Sequence, residues 1–244
     1  EEISKNARST ANRKLSALKG VFSWAYKNDI LEKNELEKVE KLPEIDSDDK
    51  SRYLKEEEVK RLQVVLYERE RERGEKDHLK PIVLLSLNAG VRRKVVMQLE
   101  WDDIDFNSNM LRIRKGSSKT SDLDYVPLND VAIQALKDWQ AHTKRTAGLV
   151  FPSPKLPGKP MHDCDASFQR VLRQAGIEGF RWHDLRHSFA SHLIQDGERI
   201  ETVSALLCHG SVQTTQRYAH LQPNATSVAV ERLNKLYEKK DDSE

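Results

Sequence analysis

The chain has 244 residues, enough for one large domain with a solid core or for one domain and part of a second. Its 41 Lys and Arg against 39 Asp and Glu leave a net charge of +2, so bulk charge argues only weakly for a nucleic-acid partner and any such function must rest on local clusters. Two cysteines without ligand spacing, Cys164 and Cys208, point to a reducing cytoplasm rather than a disulfide framework, and no apolar run or leader-like segment points to a membrane or to secretion.

The sequence opens on Glu1 rather than Met, which reads as a fragment of a longer protein. Leu15, Leu18, Val21, Phe22 and Ala25 recur at helical spacing within residues 11–27, and Lys33-Asn34 supplies a polar stop. From Lys41 to Ser51 there is neither periodicity nor apolar content, so this stretch reads as a linker. Val59, Leu62, Val65 and Leu66 form the stripe of a next helix, which runs into the alternating charges of Glu68 to Arg73; that tract reads as a solvated helix face with no function. Pro81 to Asn88 is apolar almost throughout and predicts a buried helix that delivers Arg92 at its end.

Ile104 to Leu128 alternates in short segments broken at Asn107-Ser108-Asn109 and Gly116-Ser117-Ser118, the pattern of three short strands joined by turns. Helices are expected over 129–144, 163–175, 183–195, 200–207 and 212–219, and the proline-rich stretch from Pro152 to Pro160 should be a loop carrying neither helix nor ladder. The fold class is therefore mainly α with a small antiparallel β-hairpin sheet (α+β). Arg92, Arg93 and Lys94, and Arg112, Arg114 and Lys115, form local basic clusters, each read first as solvated surface.

Chemistry concentrates near the C-terminus, in RWHDLRHSFASHLIQDGERIETVSALLCHGSVQTTQRYAH, residues 181–220. His183 and Arg186 stand three apart, one helical turn from each other; His209 follows an apolar helical run, and Tyr218 lies nine residues beyond it. A nucleophile behind HxxR and a second imidazole resembles the tyrosine recombinases, or phage integrases. NAGVRRKVVMQLEWDDID, residues 88–105, resembles that family's first box and matches its arginine to Arg92. LRIRKGSSKTSDLDYVPL resembles its hairpin and matches the lysine to Lys119. The residues keep the family's order over most of the chain, from about Ser51 to Lys240. Singly each has a bland structural reading; four segments in order do not.

The resemblance implies a site-specific DNA recombinase that cleaves through a 3'-phosphotyrosine without metal, ATP or other cofactor. Tyr218 would be the nucleophile, Arg92 and Arg186 the clamp on the non-bridging oxygens, and Lys119 the acid for the leaving 5' oxygen. His183 would assist proton transfer at the tyrosine and His209 would bond a phosphate oxygen. It implies residues 1–45 as the C-terminal part of a helical core-binding domain, 46–52 as a linker and 53–240 as the catalytic domain. A terminal helix over 224–239 would dock onto a neighbouring protomer. Expected partners are double-stranded DNA with inverted-repeat sites, further copies forming a tetramer around a Holliday junction, and accessory DNA-bending proteins, in the cytoplasm at the nucleoid.

Two positions depart from the family pattern. Val95 stands where an acid usually follows the first arginine by three, and Asp124 and Tyr125 replace a usual basic residue before VPL. Val95 keeps a catalytically weak DNA-binding relative in view; a type IB topoisomerase, which uses the same chemistry without exchanging strands between duplexes, is the other alternative. His187, His192 and His220 match no role and read as structural or surface residues, although His183 and His187 have the i, i+4 spacing of a metal pair, which makes a zinc hydrolase the alternative from another class.

Overall fold

A computed structural model describes residues 5–43, 52–73, 77–114 and 124–222, and the chain divides into two units, Glu1–Lys50 and Ser51–Glu244. In the first, helix α1 (Lys5–Lys27) is followed by a return segment pinned by polar groups. The Asn12 amide donates to the Leu42 carbonyl and accepts from the Leu42 N–H, both at 2.8 Å, and Asn34 donates to Ser23 Oγ at 3.2 Å. The expected apolar stripe is split: Ala25 is buried and Leu15 and Phe22 half-buried, while Leu18 and Val21 are 51% and 61% exposed.

The second unit is built around α3 (Leu79–Ala89), whose residues are buried on every side except at Asn88. A helix apolar all round has no solvent face, so other elements must cover it. It packs against α5 (Asp130–Thr143) and α7 (Trp182–Gln195), and α2 (Glu56–Arg73) lies on α3 and on α6 (Asp165–Gln174). Pro81 falls in the first turn of α3, where a missing N–H costs nothing. At the other end Asn88 accepts from the Asn129 side chain at 2.9 Å, and Asn129 in turn caps α5 by accepting from the Ala132 N–H.

Three antiparallel strands, β1 (Ile104–Asp105), β2 (Met110–Ile113) and β3 (Asp124–Pro127), lie in that order. Leu111 pairs with Val126, and both are fully buried; their neighbours Arg112 and Tyr125 pair on the outer face. This is the alternation expected of a sheet covered on one side. Residues 115–123, which include Lys119 and Lys115, lie outside the described residues, as do 46–51 of the linker and the terminal helix expected over 224–239.

The helices expected over 129–144, 163–175, 183–195 and 200–207 sit within two residues of their expected ends. α1 instead begins at Lys5, six residues before the apolar stripe expected from residue 11, because its first turns carry polar residues that leave no periodicity to read. Other corrections also have physical causes. A five-residue α4 (Arg93–Met97) and a 3₁₀ turn over Trp101–Asp103 were not expected, being too short for periodicity to show. The stretch 212–219 is not α-helical but two 3₁₀ segments, Val212–Thr214 and Gln216–Leu221. The loop between Pro152 and Pro160 does carry a β-bridge, because its bonds use neighbours that retain an N–H: Met161 donates to Phe151 at 3.1 Å and Ser153 to Lys159 at 2.8 Å.

The charge tract is not simply solvated. Arg69, 8% exposed, donates to both carboxylate oxygens of Asp77, 4% exposed, at 2.9 and 3.0 Å, and Glu70 accepts from the buried Lys80 at 2.6 Å. Breaking a buried pair strands one charge. Asp77→Ala should therefore destabilise the fold by about 3 kcal/mol in urea unfolding, while Arg69→Met with Asp77→Leu should recover most of that; a single variant as stable as the parent would show that the pair carries no energy.

Candidate active site

The site begins with helix ends. α3 stops at Gly90, whose φ of +60° is left-handed and whose hydrogen faces Phe189: a Cβ there would lie 2.4 Å from the ring. α8 (Ile200–Leu206) stops at Leu207, followed by Cys208 at φ +49°, with the His209 N–H returning to the Ser204 carbonyl at 3.1 Å. Such a left-handed stop leaves the last helical carbonyls facing outward, carrying the negative end of the helix.

Arg186, on α7 and 6% exposed, joins the two ends: Nη1 donates to the Gly90 carbonyl at 2.7 Å and Nη2 to the Leu207 carbonyl at 2.6 Å. Arg92, exposed and N-capping α4, reaches the next carbonyl, that of Cys208, at 3.4 Å. Two guanidinium groups thus rest on consecutive carbonyls, and among the described residues neither has a carboxylate partner. The neighbouring arginines of the basic clusters differ. Arg93 pairs with Asp163 and Asp165 and lies over the Trp182 ring, while Arg112 and Arg114 both pair with Asp103. Their charge is spent internally. Burial, and then the charge of Arg92, pull the Arg186 pKa down to about 10, so it stays protonated at neutral pH.

Tyr218 is 2% exposed and belongs to a second, smaller core with Ala190, Ile194, Ile200, Val203 and Leu207. Its hydroxyl meets Nδ1 of His187 in a short contact. Burial raises the phenol pKa, while burial first and His183 second push His187 down to about 4. The pair is therefore neutral at pH 7, with the phenol donating to the imidazole. His183, exposed in the first turn of α7, stands edge-on to His187 with ring centroids 4.7 Å apart. Burial and the charge of Arg186 lower its pKa. His209 is half-buried, with Nδ1 2.8 Å from Thr215 Oγ1; burial, then Arg186 and Arg92, push it down to about 4.

Of the residues singled out from sequence, Arg92, Arg186, His183, His209 and Tyr218 fall in one neighbourhood, and Lys119 lies outside the described residues. His187, read from sequence as structural or surface, is the imidazole in contact with Tyr218. The available signal was its i, i+4 relation to His183, which suggested only a metal pair. Among the described residues no three His, Cys, Asp or Glu are grouped as metal ligands. His192 is structural: its Nε2 lies 2.7 Å from the Leu54 carbonyl, while Ser188 accepts from the Leu54 N–H. Val95, where the family acid would stand, packs against the main core. No helix among the described residues is long and apolar enough to cross a membrane.

Comparison with known proteins covers the same region. The model of the phage integrase family matches residues 52–225. The integrase of Salmonella phage P22 is 31% identical over 167 residues, covering 65% of this chain, and the chain spans 43% of that relative's length. Tyrosine recombinase XerC of Pediococcus pentosaceus is 29% identical over 245 residues, 96% of this chain and 76% of XerC. Among solved structures, the Tn1549 transposon integrase in complex with transposon right end DNA matches with TM-score 0.73 at 19% identity, covering 93% of this chain and 79% of that one. XerH recombinase bound to palindromic difH substrate matches at 0.70 and 20% identity, covering 95% and 68%.

Two consequences can be measured. Gly90→Ala adds both a left-handed strain and a clash with Phe189, so urea unfolding should show a loss of about 2 kcal/mol or more. Adding Phe189→Ala should relieve the clash but not the strain; a Gly90→Ala chain as stable as the parent would contradict the close approach. His187 and His209 titrate near 4 when folded against 6.5 ordinarily, so the unfolded chain binds more protons between those values. Stability should be full above about pH 6.5 and fall as pH drops towards about 4. Thermal melts should show that fall, and His187→Asn should flatten it; parallel curves for parent and variant would refute a buried neutral His187.

Proposed function

The chain belongs to the phage integrase family, and on that footing we propose that it carries out site-specific DNA recombination, cleaving and rejoining DNA strands through a covalent bond to Tyr218. The observation that carries this reading is the pair of uncompensated guanidinium groups, Arg92 and Arg186, beside the buried tyrosine–histidine pair. A pentavalent phosphorane gathers negative charge on its equatorial oxygens. Two planar forks held by neutral carbonyls keep their positive charge for it.

In the proposed reaction the Tyr218 oxygen attacks phosphorus, the P–O5' bond breaks, and the enzyme holds a 3'-phosphotyrosine while the 5' hydroxyl leaves. Lys119 supplies the proton to that hydroxyl. The phenol proton passes to His187, with His183 beside it, and His209 donates to a non-bridging oxygen. The low pKa of His187 reflects burial and then the charge of His183. An arriving phosphodiester offsets flanking positive charge and so makes His187 a better base at the moment the phenol proton is transferred. The ester keeps the energy of the broken bond, so religation by a second 5' hydroxyl reverses the steps without ATP. No metal or cofactor enters.

The substrate is double-stranded DNA with inverted-repeat sites, and exchange between two duplexes calls for four copies around a Holliday junction. We read residues 1–45 as the closing part of a helical core-binding domain. Exposed Leu18, Val21 and Trp24 are the side that other helices of such a domain would cover. Residues 53–240 form the catalytic domain, with 224–239 as the segment that docks on a neighbour. Accessory DNA-bending proteins and a location at the nucleoid follow from the same reading.

The test is a nicked suicide duplex made from inverted repeats in the DNA that flanks the gene. The parent chain should give a protein–DNA adduct on a denaturing gel. Tyr218→Phe should abolish the adduct and leave DNA binding within about threefold, since only the nucleophile is lost. An adduct that persists in the variant sinks the assignment. Two differently marked duplexes should yield recombinant products; relaxed plasmid with no recombinants would point to a topoisomerase instead.

A further inference from the structure

Thr215 is fully buried although it carries a hydroxyl, and among the described residues that hydroxyl has one hydrogen-bond partner, His209 Nδ1 at 2.8 Å. Its backbone has a separate task. The Thr215 N–H donates to Val212 at 2.8 Å and its carbonyl accepts from the Tyr218 N–H at 3.0 Å, so the residue closes one 3₁₀ turn and opens the next. Main chain and side chain thus hold the two ends of the His209–Tyr218 segment.

We propose that Thr215 is a positioning residue for phosphoryl transfer, its hydroxyl donating to Nδ1 of His209 and so keeping the ring proton on Nε2, where it can be given to a phosphate oxygen. The tautomer follows from satisfying both groups. If Nδ1 carried the proton, the Thr215 hydroxyl hydrogen would be buried with no acceptor, a costly state for a polar group. Nε2 would then offer a lone pair to the anion, and a lone pair repels it. With the hydroxyl as donor both groups are satisfied and Nε2–H is free. His209 is neutral at pH 7, because burial, Arg186, Arg92, Arg217 and His183 all disfavour a second proton, so the choice between the two neutral tautomers decides what the ring can do.

The inference rests on the recombinase reading for its catalytic half but not for its structural half. Thr215→Val keeps the branched shape and the backbone bonds while removing the donor; Thr215→Ser keeps the donor. Ring-nitrogen NMR of the DNA-free chain should show His209 with its proton on Nε2 in the parent and in Thr215→Ser, and a population shifted to Nδ1–H in Thr215→Val. On the suicide duplex, single-turnover adduct formation should drop by about tenfold or more in Thr215→Val, as expected when a transition-state donor is misdirected, with DNA affinity unchanged and Thr215→Ser within about threefold of the parent. An Nδ1–H ring in the parent overturns the proposal without any variant having to fold. A shifted tautomer with an unchanged rate overturns its catalytic half. If the parent forms no adduct, the recombinase reading fails while the NMR comparison still judges the Thr215–His209 bond.

Discussion

The second unit depends on how it holds one buried cation. Arg186 is taken out of water and is met by two backbone carbonyls, each at the closing end of a helix, rather than by a carboxylate. A carboxylate would hold it more tightly and would also cancel its charge. Carbonyl dipoles orient the guanidinium and leave the charge intact, at a cost that the rest of the fold must offset. That cost explains why both helix ends are built so closely, with left-handed residues at Gly90 and Cys208 turning the carbonyls outward. The contrast with Arg69, buried to a similar degree and matched by Asp77, separates a cation whose charge is compensated from one whose charge is not.

Tyr218 is held by a different logic. Tyr218 lies among a handful of apolar side chains from α7, α8 and the last 3₁₀ turns, apart from the large core around α3. Short 3₁₀ segments have poorer hydrogen-bond geometry than α-helices and a small core contributes less burial, so this corner is held by less than the core around α3 is. A tyrosine at 2% exposure must move, or be uncovered, before its oxygen can reach a phosphate.

The elements legible in the sequence were those whose signal is local. α3 declares itself by an apolar run with no polar face, the sheet by alternation between turn residues, and the HxxR pair by a spacing that any helix turns into proximity. In the charged tract of α2, alternating signs say nothing about which charge turns inward, and the answer lies with Asp77 and Lys80 on the following segment. The clusters at Arg93 and at Arg112 and Arg114 were ambiguous for the same reason: their acids come from Asp163, Asp165 and Asp103.

Residue types and their spacing set the inventory and its order: which helices form, which side chains can clamp a phosphate or attack it, and that they recur in the pattern of one family. Tertiary packing decided the rest. Which of two histidines meets Tyr218 depends on how a 3₁₀ segment lies against α7, 31 residues away in sequence. Which arginines stay uncompensated depends on where α3 and α8 end in space relative to α7. Both are matters of distance between groups remote in the chain. Periodicity and spacing carry no information about such distances, because they are set by the joint burial of faces from many elements at once.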